Sequence, residues 1–198
     1  MQEYWDIYDI NKNKTGRVMK RNDWSMKEGE YYISVLGVVR RSDGKFLITQ
    51  RVLTKEWAAG WWEIPGGAVK AGESSLEAVI REVKEEVGLT VKPESIKEFG
   101  YVHRIQRGKH EPVFIQDNFY YLCDVENNQE LPQYSDAEKR EEFVPVFVDL
   151  IEAIRVNEEF VKANPSDLMI ERELRVLRMV QERIVEHKND AVWNANVN

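Results

Sequence analysis

The sequence predicts an α/β protein, and three stretches predict it. Residues 31–40 and 45–51 are rich in β-branched and aromatic side chains and flank the turn signal Ser42-Asp43-Gly44, a hairpin pattern. Residues 61–65 read as a brief strand ending at Gly66-Gly67, after which 68–72 is loop and 74–87 is helix, closed by Gly88 in the C-cap position. Toward the end of the chain, Ile170, Leu174, Leu177, Val180 and Ile184 recur at helical spacing.

The remaining elements fall between these. Residues 5–9 and 17–21 read as short extended pieces joined by the polar stretch 11–16, which predicts an N-terminal β-ribbon within residues 1–30. Residues 96–103 and 113–125 read as strands, and 144–148 as a further strand running into a helix around 150–155. Asn164-Pro165-Ser166-Asp167 marks a helix start, and the helix continues to about His187. The expected organisation is a ribbon over 1–30, a central domain over 31–155, a C-terminal helix within 156–188 packing on the domain or a partner, and a disordered tail over 189–198.

Size and composition bound the function. A chain of 198 residues has room for one domain with a substantial core, and 42% hydrophobic with 32% charged residues is a globular composition. The longest apolar run, 33–39, falls far short of the ~20 residues of a membrane span. The first residues lack the basic and apolar regions of a secretory signal, and the single cysteine, Cys123, makes no internal disulfide framework, so the expected compartment is the cytoplasm. A net charge of −7 argues against general nucleic-acid binding, and a negative protein that handles a negative substrate needs a cation between them.

The helix over 74–87 carries the chemistry. At about 100° per residue, Glu82, Glu85 and Glu86 fall within about 100° of one another, while Leu76, Val79, Ile80, Val83 and Val87 gather on another face. The helix can then bury its apolar side while the glutamates line an edge. Like charges three and four residues apart destabilise a helix by a few tenths of a kcal/mol per pair, and a bound divalent cation compensates for them. Oxygen ligands without a nearby His or Cys point to a hard ion, Mg²⁺, with Mn²⁺ as the alternative. Gly66-Gly67 ends the preceding strand where backbone must approach that ion.

The segment from Gly67 through Glu73, Arg81-Glu82, Glu85-Glu86 and Gly88-Leu89 resembles the Nudix box at every fixed position. The resemblance implies a Nudix fold, a mixed β-sheet sandwiched between helices (α/β/α), and a Mg²⁺-dependent hydrolase that cleaves a diphosphate linkage. It implies that Glu82, Glu85 and Glu86 bind metal with the Gly67 carbonyl, and that Arg81 pairs with Glu73 to hold the loop against the helix. A metal-activated water attacks phosphorus in this chemistry, and Glu85 or Glu86 can take its proton. Some members use a glutamate outside the box, for which Glu138, Glu141 and Glu142 are the candidates here.

Outside the box, Trp5-Asp6, Tyr8-Asp9, Thr15-Gly16-Arg17 and Arg21 resemble the Nudix branch similar to isopentenyl diphosphate isomerase. That likeness implies that Arg51 and Lys55 grip the substrate diphosphate. The isomerase, however, places a catalytic cysteine on the strand before the box, where this chain has Glu63-Ile64-Pro65; Cys123 lies elsewhere, so hydrolysis is preferred to isomerisation. Trp57, ahead of the glycine loop with Trp61 and Trp62, is a candidate to stack on a planar group of the substrate. The expected partner is a small-molecule diphosphate such as a nucleoside di- or triphosphate, a nucleotide sugar or a dinucleotide. A noncatalytic module that binds nucleotide-linked metabolites is the rival reading. The N-terminal ribbon and the helix 167–187 are candidate surfaces for a homodimer.

Overall fold

The computed structural model describes residues 2–21, 23, 25–50, 52, 60–106, 114–132, 144–165 and 168–187. The candidates Arg51, Lys55, Trp57, Glu138, Glu141 and Glu142 and the tail 189–198 lie outside the described residues. Among the described residues no helix is long and apolar enough to cross a membrane.

Strands β1 (Tyr4–Tyr8) and β2 (Lys14–Lys20) pair antiparallel as a separate two-stranded ribbon. Trp5, Ile7 and Met19 are its buried side, and Trp5 stacks on Tyr32 with ring centroids 4.8 Å apart. The main sheet is centred on β3 (Ile33–Arg40), which pairs in parallel with β9 (Phe114–Gln129) along its whole length. On its other side β3 meets β4 (Phe46–Gln50) in register only at Arg40 opposite Phe46. The expected hairpin therefore opens immediately after its turn, and β6 (Gly66–Ala68) fills the gap by pairing antiparallel with Ser34, Val35 and Leu36. Beside it, β5 (Trp62–Glu63) pairs with the end of β4, and β10 (Val144–Val148) pairs with the outer edge of β4. On the far side of the sheet β7 (Leu89–Val91) and β8 (Lys97–Gln106) both pair antiparallel with β9.

Helix α1 (Ser75–Val87) starts at a capping box in which the Glu77 amide donates to Ser74 Oγ and the Ser74 amide to Glu77 Oε2. It stops at Gly88, whose φ of 70° is left-handed and whose amide donates to the Lys84 carbonyl. Val79, Val83 and Val87 pack on one face of the sheet, against Val35, Val39, Tyr121 and Cys123. The other face, with Leu36, Val38, Ile48 and Tyr120, is covered by α2 (Leu150–Ala163) and α3 (Leu168–His187). Helices on both faces explain why Val35 to Val39 is an unbroken buried run instead of an alternating one.

Three details depart from the expectation. Gly66 and Gly67 are strand residues of β6, because the splayed β3–β4 hairpin leaves ladder positions for them. The helix beginning at Leu150 runs to Ala163, well past residue 155. Leu76 is 48% exposed, and the small Ala78 fills the contact with the sheet at that turn.

Candidate active site

The glutamates of α1 divide into two environments. Glu82 and Glu86 are buried, at 5% and 8% exposure, where α1 passes behind β6. The Gly66 amide donates to Glu86 Oε2 at 3.1 Å. At Gly67 the approach is closer still, since a Cβ there would collide with the Glu82 carboxylate, and one at Gly66 would strike the Val35 carbonyl. Only glycine lets the backbone lie flush with these carboxylates. The edge that these two glutamates line is covered by β6.

Glu85 stands apart. It is about a third exposed and receives Lys70 Nζ at 3.2 and 3.3 Å and Arg81 Nη1 at 3.0 Å. Arg81 ties the whole segment together: Nε and Nη2 grip Glu73 at 2.6 and 2.9 Å, Nη1 also donates to Glu82 Oε1 at 2.7 Å, and Nη2 reaches the Ala68 carbonyl at 3.1 Å. Burial alone would raise the Glu73 carboxyl pKa, but the bonds from Arg81 and from the Lys70 amide hold it below its ordinary value. Burial also opposes the Arg81 charge, and its partners Glu73 and Glu82 raise its pKa regardless, so the pair stays ionised. Among the described residues no three His, Cys, Asp or Glu side chains converge as a ready metal cage: Glu82 and Glu86 sit at β6, and Glu85 is turned to Lys70 and Arg81.

A cavity of about 310 Å³ opens in front of Glu82, Glu86, Gly66 and Gly67. The oxygens at its mouth, from two buried carboxylates and glycine backbone, fit a hard divalent cation, and Arg21, Arg104 and Arg172 line the rest of the cavity with Glu3 and Glu63. The strand segment below it is held from the opposite side of the sheet. Asn157 of α2, fully buried, accepts the Trp62 amide at 3.3 Å and donates to the Trp62 carbonyl at 2.9 Å. Glu173 of α3, also fully buried, accepts the Ile64 amide at 3.1 Å and the Tyr120 hydroxyl at 3.3 Å, with Arg172 Nη2 at 2.6 Å. The N-terminal ribbon grips the other end of the loop: the Ala71 amide donates to the Tyr4 carbonyl and the Gly72 amide to Asp6 Oδ2.

None of Lys70, Asn157, Glu173 or Asp6 is in the sequence-level site. Glu173 alone left a signal, a carboxylate set inside the apolar stripe of Ile170, Leu174 and Leu177. Of the tryptophans ahead of the loop, Trp61 is a core residue at 0% exposure and Trp62 lies in β5. Cys123 is fully buried beneath α1, and desolvation pushes its thiol up to about 12.

A mixed sheet lies between helices, and a glutamate helix backs onto a glycine strand at the mouth of a cavity. The NUDIX domain family profile matches residues 30–168, more than two thirds of the chain, and the chain belongs to the Nudix hydrolase family. It is 32% identical over 90 residues to an uncharacterized Nudix hydrolase from Listeria innocua, covering 45% of this chain and 53% of that protein. An ADP-ribose pyrophosphatase from Methanocaldococcus jannaschii is 34% identical over 97 residues, 46% of this chain and 54% of that one. A CTP pyrophosphohydrolase from Escherichia coli is 40% identical over 57 residues, 29% and 42% of the two chains. The chain thus spans about half the length of the curated relatives it matches. Among solved structures, the NUDIX domain of Shewanella oneidensis NrtR, complexed with ADP ribose, superposes with a TM-score of 0.54 at 16% identity over 77% of this chain and 87% of that one. A Deinococcus radiodurans protein gives 0.54 at 15% identity over 86% and 99%. These likenesses establish the Nudix fold.

Proposed function

We propose that the chain is a Mg²⁺-dependent hydrolase that cleaves the diphosphate linkage of a small nucleoside diphosphate derivative. The observation that carries this reading is the pair of buried carboxylates, Glu82 and Glu86, packed against side-chain-free backbone at the mouth of a cavity. Two like charges buried side by side are costly, and a divalent cation in the cavity offsets that cost. The relatives named pyrophosphatase and pyrophosphohydrolase support the same reaction.

Glu82 and Glu86 would hold the ion together with the Gly67 backbone, and Glu85 would complete the set on turning from Lys70 and Arg81. When bound, Mg²⁺ neutralises phosphoryl charge and lowers the pKa of an attacking water. Arg81 aims Glu82 toward the cavity and Glu73 fixes Arg81. The proton of the attacking water passes to Glu85 or Glu86, or to the segment carrying Glu138, Glu141 and Glu142. Arg51 and Lys55 stand as the contacts to the substrate diphosphate on the strength of the family resemblance, and Trp57 as a stacking contact by its place ahead of the glycine loop.

We place the chain on the branch similar to isopentenyl diphosphate isomerase by its ribbon motif but assign it hydrolysis. Cys123, the one cysteine, is buried under α1 with a thiol pKa of about 12, so no thiolate faces the cavity. The test is a screen of nucleoside triphosphates, nucleotide sugars and dinucleotides with Mg²⁺ and Mn²⁺, read by product identification. Release of phosphate or nucleoside monophosphate is expected, with Glu86→Gln slower by at least on the order of 100-fold, beyond the loss usual for a residue that only supports a metal ligand. Full activity in that variant, or turnover confined to isomerisation, contradicts the reading.

A further inference from the structure

The cavity extends beyond the glutamates along the sheet, and its far end is built from polar side chains on three adjacent strands. Ser34 of β3 lies opposite Asn118 of β9 in the parallel ladder. Gln116, two residues before Asn118, shares its face of the sheet and lies opposite Arg104 of β8. All four line the cavity, and Arg104 Nη2 donates to Gln116 Oε1 at 2.6 Å.

Asn118 is the informative member. It is 2% exposed, and its amide nitrogen has no hydrogen-bond partner. Buried amide groups are nearly always paired, so an unmet donor at the wall of a cavity points to an acceptor that arrives with a ligand. With Arg104 beside it the strip is rich in donors, which suits oxygen atoms. Among the described residues no aromatic ring lines the cavity, and this end of it is walled by the polar side chains of Ser34, Asn118, Gln116 and Arg104. A volume of about 310 Å³ stands at the lower end of ligand pockets.

We propose that this polar end is the specificity-determining subsite of the chain and takes an oxygen-rich, non-aromatic group attached to the diphosphate, a sugar or sugar phosphate, with the Asn118 amide donating to one of its oxygens. The proposal rests on the hydrolase reading only for where the diphosphate lies, at Glu82 and Glu86. Gln116 and Arg104 frame the same group, and Ser34 supplies a hydroxyl that both donates and accepts.

The test compares ADP-ribose with ADP, and UDP-glucose with UDP, on the full chain and on Asn118→Leu, which keeps the branched shape and removes the amide. Gln116→Leu is carried in parallel in case the first variant does not fold. Two measurements are made: kcat/KM with Mg²⁺, and calorimetric Kd in metal-free buffer. The wild-type chain is expected to bind at least one sugar-bearing compound more tightly than its parent nucleotide. Asn118→Leu is expected to lower the sugar-to-parent ratio of kcat/KM and of affinity by about tenfold, the cost of leaving a ligand oxygen unmet. A folded variant with both ratios unchanged, or a wild type with no preference for the sugar-bearing compounds, overturns the subsite. Binding that responds to the variant without any turnover would sink the hydrolase reading and leave the subsite standing. Turnover with unresponsive binding would do the reverse.

Discussion

Gly67 and Arg81 show how little of this site is made by the glutamates alone. Arg81 reaches Glu73, Glu82, Glu85 and the Ala68 carbonyl, so one guanidinium fixes two of the metal-ligand candidates and the strand that faces them. Gly67 contributes by lacking a side chain. Gly67→Ala would drive a methyl into the Glu82 carboxylate, and a displacement of that size at a reacting centre is expected to lower kcat/KM by on the order of 100-fold. Wild-type kcat/KM in a folded Gly67→Ala would contradict the close approach. The box residues were legible because their spacing on one helix is enough to group them. Their burial was not, since a helix read by itself gives its charged side to solvent, and it is β6 that covers Glu82 and Glu86. Asn118 was illegible for a similar reason: one amide in the polar run Gln116-Asp117-Asn118 acquires meaning only when Ser34, Gln116 and Arg104 are ranged around it.

At the level of elements, the C-terminal helices are clamps on the strand that leads into the site. Asn157 holds both backbone groups of Trp62, and Glu173 holds the amide of Ile64, each from a fully buried position. Glu173→Ala takes from the buried Arg172 its hydrogen-bonded carboxylate and is expected to cost about 3–5 kcal/mol. Asn157→Ala strands two backbone groups, at about 1–3 kcal/mol each. Thermal unfolding reads both, at about 2–4 °C per kcal/mol for a chain of this size; a melting temperature unchanged within about 1 °C in either variant would show that the clamp carries no load. The second of these helices was legible from its apolar stripe. The first was legible only at its start, because Asn157-Glu158-Glu159 interrupts the apolar period, and Asn157 is buried for its bonds to Trp62 instead of for its hydrophobicity.

Across the whole molecule, the segment from Trp62 to Glu73 is gripped at both ends by the parts of the chain outside its central sheet. The helices hold its beginning, and the N-terminal ribbon holds its end through Tyr4, Asp6 and Lys14. Burial raises the Asp6 carboxyl, but Lys14 at 2.6 Å and the Gly72 amide outweigh it and bring its pKa below the ordinary value, as Arg81 does for Glu73. Groups with depressed folded-state pKa values contribute their full stability above the unfolded values, about 4, and lose it as pH falls through the folded ones. The melting temperature is therefore expected to be nearly level from about pH 7 to 5 and to fall below about pH 4. Asp6→Asn should lower stability at pH 7 by about 1 kcal/mol and flatten the acid loss; an unaltered acid profile would remove Asp6 from the brace. Sequence patterning revealed the ribbon as a hairpin but not its grip on the loop, which joins residues more than sixty positions apart.

What these scales share is the proposed cation, which Glu82, Glu86 and the Gly67 backbone would hold. Titration of the full chain with Mn²⁺, followed by electron paramagnetic resonance of the free ion, tests it without substrate or turnover. Saturable binding is expected in the wild-type chain, weakened by at least on the order of tenfold in Glu82→Gln and in Glu86→Gln while both variants remain folded. Mn²⁺ affinity equal to wild type in both folded variants would contradict the assignment of this site.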